Sequence, residues 1–179
     1  MEIQMTSPPP PEHMDCFLQT EIPPTNRINY ITGIYALNIP DQEGTTGDWH
    51  DSVFWHPLGI RIPTPISLGG KGAFDTNQML GDMGVQEAHK RVVGIGLHVA
   101  DYIKEVYVAN RIRATLDLAF SELSIYGRTM TVRGASSDWL DTAEQKETLL
   151  RHAATLASLL VGTMRAGLDD WIVHEKSLD

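Results

Sequence analysis

The chain has 179 residues, 42% hydrophobic and 21% charged, with a formal net charge of −9 at pH 7. That length supports one domain with a real core, and the composition is that of a soluble globular protein rather than a disordered or fibrous one. The acidic balance argues against a general nucleic-acid surface, and the single cysteine, Cys16, excludes an internal disulfide or a cysteine-built zinc site.

All ten prolines fall within the first 65 residues. Pro8–Pro11, Pro23 and Pro24 make residues 1–26 a polyproline-type or irregular arm, because proline fixes φ and donates no hydrogen bond. Met5, Met14, Phe17, Leu18 and Ile22 give this arm apolar side chains with which to dock. It has no basic segment followed by an apolar one, so it is not expected to be a secretory signal. No apolar run reaches the ~18–20 residues of a membrane span. With one thiol, the expected setting is the cytoplasm.

RINYITGIYALNIP follows, rich in β-branched and aromatic residues and closed by Pro40. It reads as a strand or as a short buried helix interrupted at Gly33, and so short a run does not separate these. DQEGTTGD is turn chemistry, SVFWHPLGIRIP is an edge or irregular path, and LGGKGAFDTNQMLGDMG is a glycine-rich loop. Lys71 in GGKG is not followed by the Ser or Thr of a phosphate-binding loop.

From Val85 the character changes. Val92, Ile95, Val99, Tyr102 or Ile103, Val106, Ala109, Ile112 or Arg113, Leu116 and Phe120 recur at three- and four-residue steps, predicting a long amphipathic helix that bends or breaks near Gly94, Gly96 or Asn110. RTMTVRG reads as extended. Asp141, with Glu144 three residues on, predicts a capped helix start. The stripe Leu149, Ala153, Leu156, Leu160, Met164, Trp171 continues from there, weakened at Gly162 and Gly167. The expected fold is α+β, mostly α. Long antiparallel helices form the C-terminal half (85–179), a small β-rich or irregular cap precedes them (27–84), and 27–179 is one domain.

The chemistry-bearing stretch is GDWHDSVFWH. On a strand Asp48, His50 and His56 share parity, and two histidines with a carboxylate suit zinc or iron. Six strand residues span about 20 Å, however, against the ~4 Å between two ligands of one ion. Asp48 and His50 would therefore need distant partners such as His89 or His98. The competing reading is structural and interfacial: Asp48 closes a turn, and Trp49 and Trp55 act as large anchors beside Asp48 and Asp51. His98 and Asp101, three apart on the expected helix, could orient each other as a base and its partner, but no serine or cysteine signature completes such a set. Neither HExxH nor a duplicated ExxH pattern occurs. Arg111, Arg113 and Lys104, with Glu105 and Asp117 nearby, read as an ion-paired helix surface.

NYITGIYALNIPDQEGTTGDWHDSVFWHP resembles a little-characterised bacterial family sharing the run Asn29, Tyr30, Thr32, Gly33, Ala36, Leu37, Asn38, Pro40, Gly47, Asp48, Trp49 and His50. DYIKEVYVANRIRATLDL is similar to it as well. Genes of that family often accompany abortive-infection-type nucleotidyltransferase toxins, which implies an antitoxin or accessory role in a toxin–antitoxin or defence system. The preferred expectation is therefore a non-enzymatic protein that binds a basic, toxin-like partner through Trp49, Trp55, Asp48, Asp51 and Phe17. No cofactor, membrane or nucleic acid is expected, and the long helices offer a surface for a homo-oligomer. The alternative is a metal-dependent hydrolase with Asp48, His50 and His56 as ligands, and His50, Asp48, His98 and Asp101 as its catalytic set.

The two expectations diverge at adjacent residues. Trp49→Ala is predicted to cost ~3–5 kcal/mol of stability, or a few kcal/mol of partner affinity, and His50→Ala at most ~1 kcal/mol. Denaturant unfolding and binding of both variants check this. A stable Trp49→Ala beside a folded His50→Ala that has lost hydrolytic activity would overturn the binding reading.

Overall fold

A computed structural model of the chain describes residues 21–42, 44, 55 and 66–178. In chain order these form α1 (Gly33–Leu37), a 3-10 turn (Gly72–Phe74), α2 (Asn77–Leu80), β1 (Val85–Glu87), α3 (His89–Gly94), β2 (Tyr107–Ala109), α4 (Arg111–Tyr126), α5 (Ala135–Asp138), α6 (Ala143–Leu159) and α7 (Gly162–Lys176). The three long helices all lie in the C-terminal half, so the architecture is α+β and mostly α. None of the described helices is long and apolar enough to cross a membrane.

Each long helix starts and stops on a local signal. Asn110 caps α4 by accepting from Arg113 N at 2.8 Å, and Gly127, at φ 68°, ends it. Thr142 and Gln145 form a reciprocal capping box on α6. This is a correction by one residue to the start expected at Asp141, whose own N–H is taken by Gln145 Oε1 at 2.8 Å. Gly162, at φ 60°, separates α6 from α7, so the stripe from Leu149 to Trp171 belongs to two helices rather than one.

The expected single helix over 92–120 is also corrected. Val92, Ile103, Val106, Ala109 and Leu116 are all buried, as their spacing implies. The backbone between α3 and α4 is not helical: Gly96 adopts φ 83°, and Tyr107–Ala109 pair antiparallel with β1. Ile31 then joins the sheet's free side, with Ile31 N donating to Tyr107 O at 3.0 Å and Ala109 N donating to Ile31 O at 2.9 Å. The extended segment tied to β2 is therefore Ile31, while Gly33–Leu37 turn into α1. Ile22, near the end of the proline-rich segment, is fully buried and donates its N–H to His98 O.

The core has two lobes. One gathers Tyr30, Ile31, Leu37, Trp55, Val92 and Val106, and the other gathers Leu116, Leu123, Leu149, Leu156, Leu168 and Trp171. Leu118 and Trp139 pack against both and make the interior continuous. The connector 127–137 turns at RTMTVRG rather than running extended, for an electrostatic reason. Buried Glu122 accepts from Met130 N and Thr131 N, and buried Glu175 accepts from Gly134 N and Ser136 N. Trp171 Nε1 donates to Val132 O at 2.9 Å, closing the connector onto α7.

α4 and α6 start at the same end, where Arg111 Nη1 meets Asp141 Oδ2 at 2.6 Å, and α7 returns in the opposite direction. A Cβ at Gly167 of α7 would lie 2.6 Å from Leu123 Cδ2 and 2.7 Å from Gly127 O. Helix propensity alone favours Gly167→Ala by up to ~1 kcal/mol, whereas forcing a methyl into packed backbone costs ~1–3 kcal/mol. Net destabilisation of about 1–2 kcal/mol is expected in denaturant unfolding. A more stable Gly167→Ala protein would mean that α4 and α7 lie further apart.

Candidate functional site

Asp48, Trp49, His50, Asp51, His56 and Phe17 lie outside the described residues. Of the aromatic anchors expected from sequence, Trp55 is described, and it is a core residue. It is 2% exposed, with its ring edge-on to Tyr35 at 4.9 Å between centroids. Its indole N–H meets no acceptor among the described residues. An exposed anchoring role for Trp55 is thereby replaced by the structural one: it ties the cap to the interior.

His98 and Asp101 do not share a helix. His98 lies in the extended segment beside Glu21, and Asp101 in a turn whose carbonyl accepts from Lys104 Nζ at 2.6 Å. Both side chains are exposed. His89 opens α3, with its N–H held by Glu87 Oε1. Among the described residues, no three His, Cys, Asp or Glu come together as a metal-binding group.

The strongest polar constellation is one that sequence reading placed on the surface. Arg113 and Asp117 do pair at the expected i,i+4 spacing, with Nε to Oδ1 at 2.9 Å, but both are fully buried. Asp117 Oδ1 also accepts from Thr76 Oγ1 at 2.5 Å, and its Oδ2 accepts from Thr32 Oγ1 at 2.7 Å and Tyr30 Oη at 3.0 Å. Arg113 Nη1 donates to the carbonyls of Gly81 and Met83, each at 3.0 Å, and Nη2 donates to Asn77 Oδ1 at 2.9 Å. The guanidinium also stands over the Tyr30 ring, 5.1 Å from its centroid. Burial pushes the Asp117 carboxyl above the usual carboxylate range, against the pull of Arg113 and the three hydroxyls. All four groups facing its oxygens are donors, so the cage fits an ionised carboxylate.

This cage also explains GGKG. A Cβ at Gly69 would lie 2.2 Å from the Tyr30 ring, and one at Gly70 would lie 1.9 Å from Ile28 O. The glycines let the backbone close over Tyr30 rather than cradle a phosphate. Pairing of Arg113 with Asp117 was readable from their spacing. The missing signal was the source of the other donors, which come from 41 to 87 residues away in sequence.

Two surface features remain. At the end of the bundle where α4 and α6 finish and α7 begins, Ile125, Tyr126, Leu159 and Val161 are exposed, Val161 at 83%. Gly127, beyond α4, faces Thr163 in the first turn of α7, which brings these termini together. At the opposite end, where β2 runs into α4, a cleft of about 200 Å³ is lined by Arg91 and Arg111 among others. Arg111 is shared there between Asp41 at 2.9 Å and Asp141 at 2.6 Å. Compared with protein-family models, with curated proteins and with solved structures, the chain matches none.

The cage makes a pH-dependent prediction. Burial first, and then the neighbouring Asp117 charge, hold the Tyr30 phenol well above its usual range. The folded state thus keeps this proton more tightly than the unfolded chain. The associated stability is complete below the unfolded value near ~10 and is lost as pH rises through the folded one. Tyr30→Phe should cost roughly 1 kcal/mol at neutral pH, a gap that narrows by about 1 kcal/mol per pH unit above ~10. Denaturant unfolding of both proteins between about pH 8 and 11.5 measures it, and a constant gap would mean that the phenol is solvated.

Proposed function

We propose that this chain is a non-enzymatic protein-binding protein that engages a toxin-like, defence-associated partner through the exposed apolar end of its helical bundle. The observation that carries the reading is the set Ile125, Tyr126, Leu159 and Val161, which the ends of α4 and α6 and the start of α7 bring to one end. Each is more than half exposed. Single exposed apolar residues are ordinary, whereas several gathered at one end of a fold are the composition of a contact surface. The strongest polar cluster described, by contrast, is buried and saturated by internal partners, as a structural group should be. The toxin-like character of the partner rests on the resemblance in residues 29–57 and 101–118. Trp49, Asp48, Asp51 and Phe17 are proposed as a second contact set, on the interface composition of aromatic side chains beside acidic ones. Cytoplasmic location is part of this proposal and follows from the lone cysteine.

The test places a photo-cross-linkable residue at Val161, or at exposed Glu144 on the first turn of α6 as a control, in the full chain within its native cells. A single protein adduct specific to position 161 is expected. The double variant Tyr126→Ser, Val161→Asp should lose that partner, and with it any rescue of growth from a co-expressed toxic partner. Its unfolding free energy should stay within ~0.5 kcal/mol of the parent, because both sites are on the surface. No adduct, or equal adducts from both positions, would reject this surface as the contact.

A further inference from the structure

The cleft at the β2–α4 junction is unusual in what it offers a ligand. Asn110, Gln86 and Gln145 line it, and in each the side-chain oxygen is already committed. Asn110 Oδ1 accepts from Arg113 N at 2.8 Å. Gln145 Oε1 accepts from Asp141 N at 2.8 Å and Thr142 N at 3.3 Å. Gln86 Oε1 accepts from Arg91 Nη2 at 3.4 Å. A primary amide whose oxygen faces an N–H has its NH₂ left to donate, so these three groups are oriented as donors.

Arg91 adds a charge of the matching sign. Its Nη1 donates to Pro40 O at 3.0 Å, and its Nη2 donates to Glu87 O at 3.3 Å as well as to Gln86. These are neutral oxygens, and no carboxylate among the described residues pairs with it. The guanidinium is thus fixed in place, with no counter-charge among the described residues and with N–H groups to spare. Asp41, the carboxylate among the described lining residues, is held by Arg111 Nη2. Apart from Gln42, the remaining wall is apolar and includes Ala36, Ile39, Val108 and Leu140.

A donor-rich side facing an apolar side selects an acceptor-rich head on an apolar body. We propose that the cleft binds a small organic oxyanion. Its carboxylate or phosphate head is held by Arg91 and the amides of Gln86, Asn110 and Gln145, and its apolar body lies against Ile39, Val108 and Leu140. The volume of about 200 Å³ matches a small head group carrying a short apolar body. This site lies at the opposite end of α4 from the proposed protein contact and does not depend on it.

The experiment is a titration of the full ¹⁵N-labelled chain with butyrate and, separately, with inorganic phosphate, each against sodium chloride at matched ionic strength. Saturable shifts of the Gln86, Asn110 and Gln145 NH₂ signals are expected with at least one probe. Response to butyrate alone assigns a carboxylate ligand with an apolar body; response to phosphate, alone or with butyrate, shows that the head carries recognition. Gln86→Glu neutralises Arg91 with a side chain of the same size and should weaken binding roughly tenfold or more. Arg91→Gln should do the same, and decides the matter if Gln86→Glu does not fold. No saturable shift with either probe, shifts reproduced by sodium chloride, or unchanged affinity in the folded variants would overturn the proposal.

Discussion

The Asp117 carboxylate is the constraint around which the rest of the molecule is arranged. A charge removed from water has to be answered by donors, and the chain brings four of them to its two oxygens. Each donor fixes a different part of the backbone. Tyr30 and Thr32 hold the segment that enters α1, Thr76 holds the turn before α2, and Arg113 extends the grip to the carbonyls of Gly81 and Met83. These segments have little regular secondary structure, and the hub adds side-chain ties to the backbone bonds that hold Ile31 to β2, Thr32 to Ser67 and Tyr30 to Gly69. The polar hub on α4 and the apolar core together hold the described part of the cap. Removing Arg113 or Asp117 would leave the other charge buried without its counter-charge, and such loss costs far more than an ordinary hydrogen bond contributes.

The helical half was legible because it is written in local chemistry. Asn110 before α4, Thr142 with Gln145 before α6, and glycines at 127 and 162 all act within a few residues of where they stand. Fold class follows from them directly. The segment between α3 and α4 was misread because burial alone sets its apolar spacing. Val92, Ile103, Val106 and Ala109 face the interior from a helix, a loop and a strand in turn, and still fall at helix-like steps. Gly94 ends α3, and Gly96, at φ 83°, turns the chain out of it. Lack of a continuous backbone period there left only the glycines as a signal.

Site residues were less legible, for a different reason. An i,i+4 Arg–Asp pair has the same spacing whether it faces water or the core, and only the remote Tyr30, Thr32 and Thr76 distinguish the two cases. The orientation of the cleft amides is equally non-local, since Gln86 is set by Arg91 and Asn110 by the backbone of Arg113. In contrast, the capping glutamine Gln145 could be anticipated from its distance to Thr142. The Asp48–His56 stretch, which draws the eye in the sequence, lies outside the described residues except for Trp55, which turned out to be apolar filling.

The way this fold hides its ions changes the electrostatic field it presents. Residues 85–179 carry thirteen acidic and eleven basic groups. Asp117, Glu122 and Glu175 are buried, as are Arg111 and Arg113, so among the described residues of this half nine acidic and nine basic groups lie outside the core. The helical body is therefore close to neutral from outside. Residues 1–84 hold ten acids against three bases and carry nearly all of the formal excess. The formal excess of negative charge therefore belongs to the first half of the sequence, and a long-range field from it would draw an approaching cation or basic surface before any contact forms. That bias is screened within about 8 Å at physiological salt, so it belongs to the encounter and not to the bound state.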